Sequence, residues 1–256
     1  MMMPKSILAG LMVSLLLGVE YTPELGAPLN SYRLGSAKYL EGRTVFYSMF
    51  VDTPESSWTQ EDKEEALTEL AVATDYIVEA AEDYHKDVEF IFDWNENPDL
   101  SGEATIDFPV SNEADFQDSL DAKISVWMKR TIPFETLLEE SEADQYALLV
   151  FVHNPGTSYA IVYDGLDNPR ESLIIFDEEP PSVYAHEILH LFGAHDLYAG
   201  AEYTKEVTDY VSQAYPQEIM YTAMGQESIE ISPITAYHLG WIDYTEETDV
   251  FPQLRR

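Results

Sequence analysis

The most informative stretch of this sequence is Ser182–Tyr198, SVYAHEILHLFGAHDLY. The stretch contains the pattern H-E-x-x-H, with imidazoles at His186 and His190. Positions i and i+4 share one face of an α-helix, so both imidazoles can reach a single ion. Zinc accepts such nitrogens at about 2.0–2.1 Å and keeps one position open for water in catalytic sites. The stretch therefore predicts a helix that carries two zinc ligands.

The residues around the two histidines strengthen this interpretation. Glu187 follows the first ligand directly, where its carboxylate can accept a proton from a zinc-activated water. Pro180 and Pro181 are typical of a helix start. Gly193 comes seven residues after His186, where it can end the helix with a sharp turn. Such a turn returns the chain toward the ion, so a third ligand is expected just after it.

Two residues follow that turn as candidate third ligands, Asp196 and, one residue earlier, His195. With Asp196 the pattern becomes H-E-x-x-H-x-x-G-x-x-D, which resembles the extended motif of the metzincin zinc peptidases. Most metzincins have histidine at the last position, whereas snapalysin-like peptidases have aspartate there. The run from Gly193 to Tyr198, G-x-x-D-L-Y, also looks like the immune-inhibitor-A-type peptidases. The resemblance implies Asp196 as third ligand, with His195 as the alternative.

The same resemblance implies a methionine-containing turn beneath the metal and a helix after it. Met220 fits the position of that methionine, and Met224 is a second candidate. Some metzincins carry a tyrosine two residues after the methionine, but here that position is Thr222 and Tyr221 comes one residue early. A transition-state role for Tyr221 is therefore not expected. Residues 232–241, SPITAYHLGW, predict the helix from a capping serine, an early proline and a late glycine.

Upstream of the motif, apolar and β-branched runs that predict strands alternate with segments whose apolar residues recur at helical spacing. Thr59 to Asp62 resembles a capping box, and one apolar face follows it from Ala66 to Tyr84. A second helix is marked by Phe116, Leu120, Ile124 and Trp127. The predicted strands are Thr44–Val51, Val88–Phe92, Ala147–Val152, Tyr159–Tyr163 and Leu173–Phe176. This order indicates an α/β (α+β) fold. The family likeness makes it a metzincin-like zincin with a mixed twisted sheet, two packed helices and a small C-terminal subdomain.

The N-terminus has the form of an export signal. Residues 1–19 combine one lysine with an uncharged apolar run and predict a signal peptide or N-terminal anchor. Residues 20–40 are interpreted as an irregular lead-in or pro-segment, residues 41–193 as the N-terminal catalytic subdomain, and residues 194–256 as the C-terminal subdomain. Export without cysteine favours an extracellular or cell-surface location in a prokaryote.

The composition excludes several classes of function. The 48 acidic residues against 13 basic ones give a net charge of −35, which disfavours nucleic acid and anionic membrane surfaces as partners. The absence of cysteine removes thiolate metal sites and a cysteine nucleophile. The acidity is consistent with high-salt adaptation or calcium binding. The run D-x-N-x-N-x-D at Asp93–Asp99 suggests a Ca²⁺ loop, but Pro98 stands where an EF-hand has glycine, so a polar turn is favoured.

Three further histidines are assigned structural positions: His153 in a turn, His85 at a helix end and His238 on a helix surface. The sequence as a whole predicts an exported zinc metallopeptidase acting on protein or peptide substrates. Two rival interpretations stay open. One is a non-catalytic acidic surface protein that binds a partner or calcium and keeps a vestigial zinc site. The other is a zinc hydrolase of non-peptide substrates.

Overall fold

The structure is a computed structural model that describes residues 35–93, 97–110, 113–162, 171–177, 179–198, 200, 203–222 and 230–255. The predicted signal segment, most of the lead-in, Tyr163 and the alternative Met224 lie outside these residues. So does the middle of the suggested calcium loop, including Asn95. Within the described residues, no helix is long and apolar enough to cross a membrane.

A six-stranded, mostly parallel sheet forms the centre of the molecule. Its strands are β1 (Gly42–Asp52), β2 (Val88–Ile91), β3 (Ser101–Thr105), β4 (Gln145–Val152), β5 (Tyr159–Ile161) and β6 (Ser172–Phe176). The order across the sheet is β2-β1-β4-β6-β5, and β3 pairs with the second half of β1. All pairings are parallel except that of β5 with β6, which is antiparallel. All five predicted strands are thus present in a mixed α/β architecture, although two end earlier than predicted, since β2 stops before Phe92 and β5 before Val162.

Seven α-helices accompany the sheet in the described part of the chain. They are α1 (Gln60–Asp83), α2 (Glu113–Arg130), α3 (Phe134–Ser141), α4 (Pro181–Leu191), α5 (Lys205–Ala214), α6 (Pro233–His238) and α7 (Glu247–Val250). The predicted capping box is present, since the Thr59 side chain accepts from the Asp62 N–H and Asp62 accepts from the Thr59 N–H. The predicted helix of residues 232–241 is α6, with Ser232 at its N-cap position.

The sheet is covered on both faces, which explains the almost continuous apolar runs of its central strands. On one face, Phe46, Leu149 and Phe151 join a core built from α1, α4 and the C-terminal region. On the other, Val45 and Val150 join a second core built from α2 and α3. The first core contains residues from both predicted subdomains. The H-E-x-x-H motif lies on α4, which packs directly against β5 and β6 of the sheet.

Some features were not predicted from the sequence, and one prediction was wrong. β3 was missed because its sequence, SGEAT, lacks an apolar alternation and pairs through its backbone with β1. The helices α3, α5 and α7 were also missed. His238 was predicted on a helix surface, but it is buried with 1% of its surface exposed. Residues of the C-terminal end cover it, since its Nε2 lies 3.2 Å from the carbonyl of Leu254.

Candidate metal centre

Helix α4 presents the H-E-x-x-H motif and ends where the sequence predicted. Pro181 is its first residue, and Gly193 follows its end with a φ of +101°. The N–H of Gly193 donates to the carbonyl of His190 at 3.0 Å, and the N–H of Ala194 donates to that of Leu189 at 3.1 Å. These two bonds form a Schellman motif, in which glycine adopts the positive φ without strain. The turn brings the following residues back over the helix.

That turn brings Asp196 to the two imidazoles. The Nε2 atoms of His186 and His190 are 3.2 Å apart. Oδ1 of Asp196 lies 3.2 Å from the first nitrogen and 3.3 Å from the second. Ligands in a tetrahedral zinc site with bonds of 2.0–2.1 Å are about 3.3 Å from one another. The three atoms therefore form a triangle of the size that one face of a zinc tetrahedron requires.

The opposite nitrogens of both rings contact backbone carbonyls. Nδ1 of His186 lies 3.0 Å from the carbonyl of Ile219, and Nδ1 of His190 lies 2.8 Å from that of Ala194. A carbonyl can only accept, so each Nδ1 carries a proton, and in the neutral imidazole each Nε2 then presents its lone pair to the triangle. This outer arrangement fixes the tautomer and the ring orientation, as it does for most metal-bound histidines.

The triangle is electron-rich and fits a cation. Oδ1 of Asp196 is buried and has no hydrogen-bond partner among the described residues. Two nitrogen lone pairs and one carboxylate oxygen thus converge without a donor between them. A borderline-soft divalent ion with N and O ligands would satisfy all three.

Glu187 lies beside the triangle and is 8% exposed. One of its carboxylate oxygens is 4.0 Å from Nε2 of His186, which is farther than the Asp196 oxygen. Burial raises the pKa of Glu187 to about 7, against the opposing effect of His186 and with help from the charges of Asp196 and Glu179. The nearby backbone of Ala160 in β5 also opposes the rise in this pKa. A carboxyl with a pKa near neutrality suits proton transfer.

The two alternatives for the third ligand occupy different surroundings. Asp196 contacts both imidazoles, whereas the ring of His195 lies 5.1 Å from that of His238 and 6.2 Å from that of Tyr203. His195 therefore packs toward the C-terminal helix α6. This geometry favours Asp196 as the ligand, as the motif predicts.

The segment around Met220 passes behind the candidate centre. Met220 is fully buried, and its carbonyl accepts the N–H of Leu197 at 2.8 Å. The preceding carbonyl, that of Ile219, accepts from His186. Tyr221 is partly buried against the main core. Two consecutive carbonyls therefore hold the candidate ligand His186 and the residue after the candidate ligand Asp196.

Tyr198 is a site residue whose role was not recognised from the sequence. Its hydroxyl donates to Oδ2 of Asp196 at 2.9 Å, which leaves Oδ1 directed at the imidazoles. Burial and the carboxylate of Asp196 raise the pKa of Tyr198 to about 12, so the hydroxyl keeps its proton at neutral pH. The only hint of this role in the sequence was the position of Tyr198, two residues after Asp196.

An acidic cleft of about 550 Å³ lies beside the N-terminal end of α4. His153, at the end of β4, stacks on Trp58 with ring centres 4.7 Å apart and contacts Asp177 at 3.1 Å. The remaining lining residues are Asp62, Glu65, Ala66, Glu69, Glu179, Pro180, Pro181 and Tyr184. The position of His153 after a strand agrees with its predicted turn, and its ring belongs to the cleft wall.

Comparisons with known proteins add little to this picture. No protein-family model and no curated protein matches the sequence. Among solved structures, one described as "Structure of a chaperone-substrate complex" is similar, with 14% identity and a TM-score of 0.34. The likeness covers 65% of this chain and 25% of the other, so this chain spans about a quarter of that one's length. A likeness at this level supports no conclusion about fold or function.

Proposed function

We propose that this chain is an exported zinc-dependent metallopeptidase with a metzincin-like architecture. The observation that carries the proposal is the triangle formed by Nε2 of His186, Nε2 of His190 and Oδ1 of Asp196, with sides of 3.2, 3.2 and 3.3 Å. Its size matches a tetrahedral zinc site with three protein ligands, which is the composition of catalytic rather than structural zinc sites. Zinc would supply Lewis acidity toward the scissile carbonyl and a lowered water pKa.

Glu187 would act as the general base. Its pKa of about 7 lets it take a proton from water and later give it to the leaving amine without a large energetic mismatch. Its burial keeps bulk water from competing for that proton. Tyr198 would hold the ligand Asp196 through Oδ2, and the backbone carbonyls of Ile219 and Ala194 would hold the two rings.

The edge of the sheet favours a peptide over a non-peptide substrate. β5 pairs antiparallel with β6, and none of the other described strands pairs with its second edge. The motif helix α4 packs against this strand, and the backbone of Ala160 in it lowers the pKa of Glu187, so the edge borders the general base. An extended peptide can add to such an edge through main-chain hydrogen bonds. The proposed substrate is therefore a protein or peptide bound in extended form.

The test compares wild type, Glu187→Gln and the control Glu89→Gln, which alters an exposed carboxylate on β2. Each is assayed for bound zinc and for cleavage of casein and a peptide library, with and without a chelator. We expect all three to bind one zinc. Glu187→Gln should lose about 10²–10⁴-fold in cleavage rate, while Glu89→Gln keeps the wild-type rate.

The same experiment separates the rival functions. Zinc binding without cleavage of any peptide by wild type would contradict the peptidase and favour a binding protein with a vestigial site, or a hydrolase of other substrates. A chain that binds no zinc would contradict the metal site itself. Retained cleavage in Glu187→Gln would contradict only the role of Glu187 as general base and would leave the peptidase proposal in place.

A further inference from the structure

A fully buried carboxylate, Glu218, lies just before Met220 and outside the candidate ligand set. It is 0% exposed. Its Oε1 accepts the N–H of Met220 at 2.9 Å and the hydroxyl of Thr235 at 2.9 Å, and its Oε2 accepts the N–H of Ser232 at 2.7 Å. A buried carboxylate is costly unless such donors surround it, so this arrangement requires an explanation.

Glu218 joins two parts of the chain. Ser232 is the N-cap residue of α6, yet its side chain makes no capping bond, and its N–H is held by Glu218 instead. Thr235 lies in the first turn of the same helix. The third donor, the N–H of Met220, belongs to the segment behind the metal centre. The carboxylate therefore fastens α6 to that segment.

The fastened segment is the one that orients the ligands. The peptide between Ile219 and Met220 supplies the carbonyl that accepts from Nδ1 of His186 and the N–H that Glu218 holds. The next carbonyl, that of Met220, accepts from Leu197, directly after Asp196. One planar peptide unit thus connects Glu218 to a ligand ring, because the C=O and N–H of a peptide are rigidly coupled.

From these contacts we propose that Glu218 is a positioning residue. It couples the packing of α6 against the Met220 segment to the affinity of the site for metal. It sets the peptide plane that orients His186 and, through Met220, the backbone next to Asp196. Because the coupling is reciprocal, bound zinc stabilises α6 in its packed position, and α6 in that position raises the affinity for zinc. The inference rests on the metal site of the proposed function, but not on peptide cleavage.

Glutamine cannot replace this carboxylate. Its amide keeps one acceptor oxygen, so the other position would direct an N–H₂ group at the N–H of Ser232 or of Met220. Two donors would then face each other in a buried site. Glu171→Gln is the control for removing a buried carboxylate, because Glu171 is also 0% exposed and its Oε2 accepts from the backbone of Ser36 and Ala37. None of the described groups donates to its Oε1, so the amide of glutamine can be placed there without a clash of donors. The partners of Glu171 lie in the N-terminal lead-in, away from the ligand set.

The experiment measures zinc affinity of the full chain by competition with a chromogenic chelator. Unfolding of the metal-free variants is followed in parallel. We expect Glu218→Gln to bind zinc about 10–100-fold more weakly, which is the loss typical when a group that orients a metal ligand is removed. Glu171→Gln should bind zinc as tightly as wild type. Hydrogen exchange of the Leu197 amide should also accelerate in Glu218→Gln and not in Glu171→Gln. Equal zinc affinities in the two variants would overturn the proposal.

Thr235→Val keeps the test decisive if Glu218→Gln does not fold. It removes one donor and leaves the carboxylate, so we expect a smaller loss, below about 10-fold. Unchanged affinity in Thr235→Val would then overturn the proposal. Wild type that binds zinc without cleaving peptides contradicts the proposed function, yet the comparison of variants still decides the role of Glu218. Wild type that binds no zinc overturns both.

Discussion

Oδ1 of Asp196 lies 3.2 Å from Nε2 of His186, in a buried position where no described donor reaches it. In the neutral imidazole, whose Nδ1–H is donated to the carbonyl of Ile219, Nε2 carries only a lone pair and is not a donor. The pair is therefore two acceptors in contact, an arrangement that a cation would convert from unfavourable to favourable.

The first prediction distinguishes the two candidate third ligands. Asp196→Asn should weaken zinc binding by more than the roughly 100-fold that loss of an outer partner costs, because an anionic ligand is lost. His195→Asn should change zinc affinity by less than about 3-fold, since His195 packs against His238 and Tyr203. Chelator competition measures both. A larger loss in His195→Asn would reverse the ligand assignment.

The second prediction concerns the hydroxyl of Tyr198. Tyr198→Phe removes the donor to Oδ2 of Asp196, so we expect zinc affinity to fall about 10-fold while stability barely changes, because the residue is 42% exposed. Tyr244→Phe is the control, since Tyr244 is also exposed and donates to Asp249 at 2.8 Å. Both are read by zinc titration and thermal unfolding. Similar affinities in the two variants would remove Tyr198 from the site.

The third prediction concerns the turn between the second and third ligands. Gly193 has a φ of +101° and Gly200 has a φ of +98°. Alanine at either position should cost about 1–2 kcal/mol of unfolding free energy, because a Cβ disfavours this backbone region. Only Gly193→Ala should also weaken zinc binding, by about 10-fold or more, since it displaces Asp196. If Gly200→Ala weakened zinc binding equally, the turn would have no special role.

The fourth prediction is a pH dependence of stability. Burial lowers the pKa of His238 to about 3, with a contribution from His195. The unfolded chain binds the extra proton below pH 6.5 and the folded chain does not, so stability is complete above that pH and declines toward pH 3. Between pH 7 and 4, metal-free wild type should lose about 2–3 kcal/mol more than His238→Gln.

The control for this prediction is His85→Asn, which alters an exposed histidine with a φ of +57° that asparagine tolerates. It should show the same pH profile as wild type in chemical denaturation. Parallel profiles for wild type and His238→Gln would mean that His238 binds its proton over the same pH range in the folded and the unfolded protein, which would contradict the prediction.

Features governed by local chemistry were predictable. The proline start and glycine end of α4, the capping box at Thr59 and the apolar strands were predicted because each depends on residues close in sequence. β3 was missed because its pairing to β1, rather than its composition, makes it a strand. His238 was misplaced because the chain segment that covers it lies beyond the helix that carries it.

The sequence by itself determined that His186 and His190 share a helix face, that Glu187 stands beside them and that the chain turns back at Gly193. Those features follow from the helical repeat and from the backbone freedom of glycine. Only the tertiary structure decided that Asp196 meets both imidazoles, that Ile219 and Ala194 orient the rings, and that Tyr198 and Glu218 support this arrangement. His186 and Ile219 are 33 residues apart, so no local rule constrains their contact, and its geometry is set by the packing of the core behind α4.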